Sequence, residues 1–502
     1  MKRLRFPVWA LTGMVAMFML ASCAPLTRTS GKGKVRRTEG TDSEQEAGGL
    51  HKPLTFEEDA WSLVPQILAR IIPPTFPDRD FMVTGYGAVG DDSTNNYAAF
   101  NDAIAACVDA GGGRVVVPAG TYLINGPIHL KSNVNLHLAA GSYIKFGVNP
   151  DDYLVGSPEF KGCVQVRWEG VWCYNFSPLI YAWGEENVAV TGSGTIDGQM
   201  DKYWYRWYVD GLHTDDRVVL RKQGMDLVPV EQRIFGTGHH LAPGTIEFYH
   251  CRNVLVEGIT TRMPLERTIH PTYCENVTIR NVNVQSGVEA AQNDDGIDPD
   301  SCTDVLIEDC TIHNFDDGIA MKAGRAKEGW LEHGGRACEN VIIRRNILHG
   351  EHNGVSFGSD MSAGVRNVFI YDCQFGVDNE QGYVFAVKSN CDRGGVVEQI
   401  YVRDITVDTC RSLVHMVTDY KGVQYDPEEH PYPPLYRDIY FENIRCRRAK
   451  NYGIYLSGLP QKPISGIHFK DFIIDEAAVA RSIENAVELE YSNVRINGRD
   501  QD

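Results

Sequence analysis

Two acidic clusters stand close together near the middle of the chain. The first, Asn293-Asp294-Asp295-Gly296, holds Asp295, and the second holds the pair Asp316 and Asp317. Asp316 follows Asp295 by 21 residues, a spacing that suits one coil of a parallel β-solenoid, where equivalent positions stack about 4.8 Å apart. Crowded carboxylates cannot all ionise, so at least one pKa rises. A proton donor beside a carboxylate that activates water is what glycoside hydrolysis requires. The alternative is a calcium site or a solvated acidic turn.

A histidine and a lysine follow the acids at similar intervals. His352 comes 35 residues after Asp317, between Gly350 and Gly354, and Lys388 comes 36 residues after His352. One isolated histidine in an apolar repeat would ordinarily be structural. Because this one stands one coil beyond the acids, we expect the acids, His352 and Lys388 to line one groove on consecutive coils.

Short strand-like segments that begin with Asn or Asp followed by Val recur along the chain. Their intervals vary, from 23 residues near Asn253 to about 39 in the later, degenerate copies. Such recurrence predicts an all-β fold, a single-stranded right-handed parallel β-helix whose strands keep a fixed pitch while loops vary in length. A β-propeller is the alternative, but its blades are more even in length. The clearest copies begin at Asn187, Asn253, Asn276, Asp304, Asn340 and Asn367.

Two segments near the N-terminus have helical patterning. Apolar residues at helical spacing predict a helix over Phe56 to Ile72, which stops at Pro73-Pro74, and another over Thr94 to Asp109. The second helix and the strands around it suit an N-terminal cap over about residues 77–130, because an uncovered solenoid end exposes core and unpaired backbone. The glycine-rich run at Gly85–Gly90 lacks the Gly-Lys-Ser/Thr end of a phosphate loop.

Thirteen cysteines invite disulfides in an exported chain. Four of them recur three residues before a valine of the repeat, and we expect these to stack as buried free thiols inside the solenoid. Cys163 and Cys173, in a loop-like segment, are the best candidates for a disulfide. The four recurring cysteines are Cys251, Cys274, Cys302 and Cys338.

The first 52 residues are read as targeting and tether segments. A basic start and an apolar run of Val8–Leu20 predict a signal peptide over residues 1–23, and Leu20-Ala21-Ser22-Cys23 resembles a lipobox that would leave Cys23 lipidated. A plain secretory signal is the alternative. Residues 24–52 are polar and predict a flexible linker. The remaining residues, 53–502, would form one β-helix domain, held in a bacterial cell envelope on its outer-membrane or periplasmic face.

The formal net charge of −18 argues against nucleic acid and against adhesion to anionic lipid. An anionic substrate remains compatible with this charge if the chain builds a local basic patch. Two insertions interrupt the repeat, an aromatic-rich one at 200–245 and a proline-rich one at 420–436. Their aromatic rings could stack on sugars or pack on the solenoid wall. The insertions could also close the groove into a pocket that accepts chain ends only, which predicts exo action.

The combined motifs resemble those of glycoside hydrolase family 28, the polygalacturonase group. Members carry Asn-Thr-Asp-Gly, Asp-Asp, Gly-His-Gly and Arg-Ile-Lys motifs. Here Asn293-Asp294-Asp295-Gly296 matches the first with Asp294 in place of threonine, and Asp316-Asp317 matches the second. The third is matched only by His352 and the fourth, Ala386-Val387-Lys388, only by its lysine. The similarity extends from about Pro77 to the late coils.

The resemblance implies an inverting, metal-independent hydrolase of pectic galacturonic-acid polymers or oligomers that uses no cofactor. We expect the protein to be a monomer. Asp316 would be the general acid, Asp295 and Asp317 would place and deprotonate the water, and His352 would tune the acids. Lys388 would hold a substrate carboxylate, and the other expected substrate-binding residues are Asn293, Lys322 and Arg325. Because Ala386 replaces an arginine, a bidentate carboxylate clamp is missing. Arg267, Arg325 or Arg393 could compensate.

Two other functions fit a β-helix of this composition. A pectate-lyase-like enzyme would eliminate instead of hydrolysing, generally with Ca²⁺ held by carboxylates such as Asp298 and Asp300. A non-catalytic glycan-binding solenoid would need none of the acids, and the presence of all three argues against it. Insensitivity to chelators, or products without an absorbing double bond, would exclude the lyase.

Overall fold

The computed structural model describes residues 60–501 except 288–292, 332–333, 351, 378–380 and 422–431. The signal peptide, Cys23, the linker, the start of the first helix, Glu351, Pro427 and Pro431 lie outside the described residues. Among the helices of the described ranges, none is long and apolar enough to cross a membrane. The described residues from Ala60 onward belong to one compact unit.

Most strands stack in parallel, each against its counterpart one coil away, so the parallel β-helix is confirmed and the propeller alternative is wrong. Two pairs of the described strands are antiparallel: Val164–Trp168 with Val171–Asn175, and Ala486–Ile496 with Arg499–Asp500. In chain order the strands are β1 (Asp80–Met82), β2 (Asp91–Asn95), β3 (Gly113–Val117), β4 (Gly120–Ile124), β5 (Ile128–His129), β6 (Val134–Leu138), β7 (Ser142–Phe146), β8 (Val164–Trp168), β9 (Val171–Asn175), β10 (Ile180–Trp183), β11 (Glu186–Gly192), β12 (Thr195–Asp197), β13 (Ile234–Phe235), β14 (Gly244–Tyr249), β15 (Arg252–Glu257), β16 (Thr260–Arg262), β17 (Glu266–Thr272), β18 (Glu275–Arg280), β19 (Asn283–Gln285), β20 (Thr303–Glu308), β21 (Thr311–Asn314), β22 (Ile319–Met321), β23 (Cys338–Arg344), β24 (Ile347–Gly350), β25 (Asn353–Gly358), β26 (Val365–Phe375), β27 (Gln381–Lys388), β28 (Val396–Val417), β29 (Leu435–Ser457), β30 (Ile464–Glu484), β31 (Ala486–Ile496) and β32 (Arg499–Asp500).

Three faces run along the solenoid. The first contains β3, β6, β11, β15, β18, β20 and β23 and continues into the first parts of β26 and β28. The second contains β4, β7, β12, β16, β19, β21 and β24. The third contains β10, β14, β17, β22, β25 and β27 and continues into the last part of β28. Between β17 and β22, Ile297 bridges both neighbouring coils.

The recurring Asn/Asp-Val motif marks the turn that enters the first face. The Asn and Asp residues of this motif have a left-handed backbone. Their φ values range from 53° at Asn367 to 64° at Asn133. Asparagine adopts this conformation more readily than most residues. Its side-chain amides also bond from coil to coil, as from Asn276 to Asn253 (2.7 Å) and from Asn253 to Asn187 (2.8 Å). The valine that follows points into the core.

The interior is a continuous apolar core to which every coil contributes. The predicted cysteine ladder is confirmed, since β15, β18, β20 and β23 are in register and place the four cysteines on successive coils, all buried and none in a disulfide. They are Cys251, Cys274, Cys302 and Cys338. Cys163 and Cys173 are also buried free thiols in this structure, so the disulfide expected between them is absent.

The helices are α1 (Leu63–Arg70), α2 (Tyr97–Asp109), α3 (Tyr205–Val209), α4 (His213–Met225) and α5 (Ala326–Gly329). Short 3-10 helices occupy Ala60–Ser62, Val83–Tyr86, Pro150–Tyr153, Pro158–Phe160 and Val230–Gln232. Helix α2 buries Phe100 and Ile104 against the first coil and forms the expected cap. It starts at Tyr97 instead of Thr94, because β2 runs to Asn95 and the Asp91 carboxylate accepts the backbone N–H of Thr94.

Helix α1 has a different position from the cap. It packs on outward-facing side chains of the first face, including Leu306, Ile342 and Phe369. The prediction of a helix here is confirmed within the described residues, but α1 ends at Arg70, where Arg70 pairs with Asp304 at 2.6 Å.

The first insertion folds against the solenoid wall. Its α3 segment buries Trp204, Trp207 and Tyr208 in the main core, where the ring centres of Trp204 and Trp207 lie 5.0 Å apart. Sugar stacking by these three rings is therefore wrong, and packing is their role.

Candidate active site

The two aspartates of the second acidic cluster lie in a bend between β21 and β22. On a straight strand Asp316 and Asp317 would point to opposite faces. Here the chain turns at Phe315–Gly318, and the Asn314 amide fixes the turn by donating to the backbone carbonyl of Asp317 at 2.7 Å. Both carboxylates therefore reach one site.

Register brings the first acid to the same place. Ile297 bridges Ile319, and Ile319 pairs with Val355, so these three residues share one register position. The residues two positions before each of them therefore also share one column of the third face. These residues are Asp295, Asp317 and Asn353. One residue earlier again, Asp294, Asp316 and His352 form the neighbouring column. The predicted convergence of the acids and His352 is thus a consequence of the coil pitch.

His352 touches both members of the acid pair. Its Nδ1 lies 2.9 Å from Oδ1 of Asp317 and 3.1 Å from Oδ1 of Asp316. Burial opposes its protonation, but the two carboxylates outweigh burial and raise the pKa of His352 to about 10. The imidazole is therefore a cation at neutral pH, and it donates to carboxylates that are acceptors only.

Two buried lysines stand beneath the same acids. Nζ of Lys388 lies 2.9 Å and 3.1 Å from the two oxygens of Asp317. Nζ of Lys322 donates to Asp295 at 2.9 Å and lies 3.7 Å from Asp298 and 3.8 Å from Asp317. Burial disfavours the charge of Lys322, but these carboxylates raise its pKa well above the usual value. Both lysines line the cavity and also balance charge within the protein.

The acids differ in proton affinity. Burial, with Asp316 and Asp317 nearby, raises the pKa of Asp295 although Lys322 opposes the shift. Burial also raises the pKa of Asp294 to about 7. Burial acts the same way on Asp316 and Asp317, but His352 and Lys388 outweigh it and lower the pKa of both. In the free protein His352 and Asp294 therefore hold protons more readily than Asp316 and Asp317 do.

These groups open into a cavity of about 460 Å³. Eight of its lining side chains are lysines or arginines and five are carboxylic acids, although the whole chain carries −18. All the residues expected to bind substrate line it, namely Asn293, Lys322, Arg325 and Lys388. Asn293 donates from its amide to Glu169 at 3.0 Å and from its backbone to Asp316 at 3.1 Å.

Several lining residues were missed by the sequence reasoning. Arg217 and Arg221 stand one turn apart on α4 and face Glu169, which Arg221 contacts at 2.5 Å. Burial opposes ionisation of Glu169, yet Arg221, Arg325 and Arg217 bring its pKa to about 2. The available signal was an i, i+4 arginine pair inside an insertion. The other missed residues are Asp360, Tyr420 and Lys421.

Comparison with known proteins identifies the family. The profile of "Glycosyl hydrolases family 28" matches residues 230–493. The chain belongs to glycoside hydrolase family 28. It is a glycoside hydrolase, as the acid constellation had indicated.

Relatives extend the similarity over most of the chain. The chain is 28% identical to a probable polygalacturonase of Vitis vinifera over 79% of its length and 74% of the relative's. It is 23% identical to an exo-poly-alpha-D-galacturonosidase of Dickeya chrysanthemi, covering 76% of this chain and 65% of that one. The solved structure of a hyperthermoactive exopolygalacturonase from Thermotoga maritima is 35% identical, with a TM-score of 0.79, covering 88% of this chain and 97% of that one.

Proposed function

We propose that this family 28 hydrolase cleaves galacturonic-acid-containing pectic chains with inversion at the anomeric carbon. The observation that carries the proposal is the excess of basic over acidic side chains around the acids, in a protein that is otherwise strongly acidic. A neutral glycan cannot compensate the charge of so many buried cations, whereas the carboxylates of a polyuronate can. The names of the relatives support the same substrate class.

In the proposed reaction Asp316 protonates the glycosidic oxygen. Its side chain is 24% exposed at the cavity surface, whereas that of Asp317 is 1% exposed. Asp295 and Asp317, held by Lys322 and Lys388, would orient water and accept its proton as the water attacks the anomeric carbon. Inversion follows because a single displacement delivers the water to the face opposite the leaving group.

His352 would supply the proton that Asp316 needs. In the free protein the pKa of Asp316 is lowered, so Asp316 is mostly ionised there. Nδ1 of His352 lies 3.1 Å from its carboxylate and carries a proton. Bound substrate excludes water and favours the neutral pair, so the proton moves from His352 to Asp316 and then to the leaving oxygen.

Variants tested on two leaving groups separate the acid from the bases. Asp316→Asn should reduce kcat on a galacturonide with a sugar leaving group by about 10²- to 10⁴-fold. An aryl leaving group of low pKa needs no protonation, so Asp316→Asn should recover most activity on it. Asp295→Asn and Asp317→Asn should stay impaired on both substrates.

Asp475→Asn, an exposed aspartate on the last coils, is the matched control and should behave as wild type. Rescue of Asp295→Asn instead of Asp316→Asn would reverse the assignment. If the wild type is inactive on every galacturonide, the proposed substrate class is wrong.

We also propose exo action. Both insertions supply side chains to the cavity wall, Arg217 and Arg221 from the first and Tyr420 and Lys421 from the second. Walls of this kind favour a pocket that admits a chain end. Early digests of polygalacturonate should then contain only very short products, with little loss of viscosity. Long oligomers at early times would contradict exo action.

We further propose that the protein works as a lipid-anchored monomer in a bacterial cell envelope, from the basic start and the Leu-Ala-Ser-Cys sequence. Cys23→Ala should abolish incorporation of labelled palmitate and move the protein from the membrane to the soluble fraction. Unchanged fractionation and labelling would refute the anchor.

A further inference from the structure

Position 386 lacks the family's arginine, and the structure shows what stands near it. Ala386 lies on β27 two residues before Lys388 and is 1% exposed. Its register partners on the neighbouring coils are Ser356 and His415, neither of which supplies a guanidinium. The chain must therefore recognise a uronate carboxylate with another group if it binds one beside Lys388.

Arg393 has the properties of that group. It is 3% exposed, yet it lines the cavity. Its Nε and Nη1 are buried and have no hydrogen-bond partner among the described residues. Its Cζ lies 5.8 Å from the ring centre of Tyr420, and Nζ of Lys388 lies 5.5 Å from the same ring. Unsatisfied buried donors are costly, so an acceptor that a ligand brings to the cavity beside Arg393 would stabilise this guanidinium.

The surroundings of Arg393 hold more positive than negative charge. Asp360 pairs with Arg325 at 2.7 Å and with Arg267 at 3.5 Å, so this carboxylate is already shared. Burial and the nearby guanidiniums of Arg393 and Arg221 lower the pKa of Arg325 to about 9. An added carboxylate would relieve this repulsion and would accept hydrogen bonds from the Arg393 guanidinium.

The backbone holds Arg393 in place before any ligand binds. The Asn390 side chain accepts the backbone N–H of Arg393 at 3.2 Å, and the indole of Trp330 donates to the Arg393 carbonyl at 2.7 Å. Gly394 donates to the Asn390 carbonyl at 2.9 Å. A backbone that is already fixed at Arg393 limits the entropy lost when its side chain binds a carboxylate.

We propose that Arg393, with Arg325 beside it, binds one substrate carboxylate and so replaces the arginine that position 386 lacks. This inference rests on the proposed function and names its specificity-determining residue. The carboxylate belongs to a single sugar, because one guanidinium fork engages one carboxylate through paired N–H···O bonds. The site should therefore reject a uronate that is neutral at that sugar.

The test compares trigalacturonate with its three single methyl esters. Wild-type enzyme should lose about 30-fold or more in kcat/KM when one particular carboxylate is esterified. Arg393→Gln should lose a similar factor on the free acid, with the rise mainly in KM, but should cleave that ester nearly as well as wild type does. Arg393→Lys keeps the charge without the fork and should be intermediate.

Arg366→Gln is the matched control, since Arg366 is 43% exposed and pairs with Glu339 on the solenoid wall. It should retain the full preference for free acid, and thermal melting should show that all three variants fold. Equal losses of Arg393→Gln on the acid and on every ester would overturn the inference while leaving the hydrolase intact. A wild type that cleaves none of the four compounds would instead refute the proposed function.

Discussion

At the scale of single residues, three carboxylates and three cations share one contact network. Lys322 joins Asp295 to Asp317, Lys388 neutralises Asp317, and His352 joins Asp317 to Asp316. Removing a carboxylate leaves a buried cation without its partner, and removing a cation leaves an uncompensated acid. Each group therefore sets the protonation state of its neighbours, and single substitutions here change charge balance as well as chemistry.

The protonation of His352 gives a prediction with a defined pH window. Its pKa is raised from an ordinary 6.5 to about 10 in the folded protein. The stabilisation from its contacts is therefore fully present below about pH 6.5 and is lost as pH rises toward 10. We expect His352→Gln to lower the free energy of unfolding most at or below pH 6.5 and progressively less toward pH 10.

Chemical denaturation at several pH values measures that difference. His129→Gln is the control, because burial lowers the pKa of His129 to about 4 and its imidazole stays neutral between pH 6.5 and 10. In the intact enzyme, a labelled His352 imidazole should still be protonated at pH 8 by NMR. A titration midpoint near 6.5 would show that Asp316 and Asp317 do not hold its proton.

The catalytic candidates could be predicted from the sequence, whereas the arginines around them largely could not. Asp295, Asp317 and His352 occur at coil-length intervals, so the solenoid pitch alone brings them together. Arg217 and Arg221 reach the cavity through an insertion, and insertions follow no pitch. Arg393 was one of three candidates for the missing clamp, and only its unsatisfied donors separate it from Arg267 and Arg325, which have carboxylate partners.

At the scale of elements, the Asn/Asp-Val motif predicted the strands because it encodes the turn before each one. The position of α1 was harder to predict. Its amphipathic pattern required an apolar surface, but the surface it found is an outward-facing stack on the first face, where Phe369 and Tyr401 lie 5.0 Å apart. Outward apolar residues of the repeat looked like ordinary strand residues in the sequence.

The packing of Trp61, in the 3-10 helix that leads directly into α1, gives a prediction about local stability. The Trp61 ring lies 5.4 Å from Phe369 and 5.7 Å from Tyr371, with Cζ of Arg403 3.8 Å above it. Removing the ring forfeits these aromatic and cation–π contacts, a loss of about 2 kcal/mol. Trp61→Ala should therefore accelerate hydrogen exchange of the α1 amides about 30-fold without changing kcat, because α1 and the active site lie on different faces.

Ile72→Ala is the comparison, since Ile72 is 66% exposed and should leave exchange nearly unchanged. If Trp61→Ala lowers kcat while α1 exchange is unaffected, the assignment of α1 to local wall stability is wrong.

At the scale of the whole molecule, repetition made the fold predictable and let one compact unit grow well beyond the length of a usual domain. Charge, in contrast to the repeating fold, is distributed unevenly over the molecule. The chain carries −18, yet its cavity collects eight lysines and arginines against five acids. A polyuronate approaching from solution is repelled by the whole surface, whereas a chain end that has entered the cavity is attracted.

These two effects have opposite salt dependences, which gives the last prediction. Long-range repulsion extends over a Debye length of about 30 Å at 0.01 M salt and about 10 Å at 0.1 M. Raising salt from 0.01 M to 0.1 M should therefore increase kcat/KM on long polygalacturonate, where repulsion of the whole surface dominates. The same change should decrease kcat/KM on a dimer, which carries few charges and depends on the basic cavity. Initial rates on both substrates across this range measure the two slopes. If polymer and dimer show the same sign, the surface charge and the cavity charge do not act separately on the substrate.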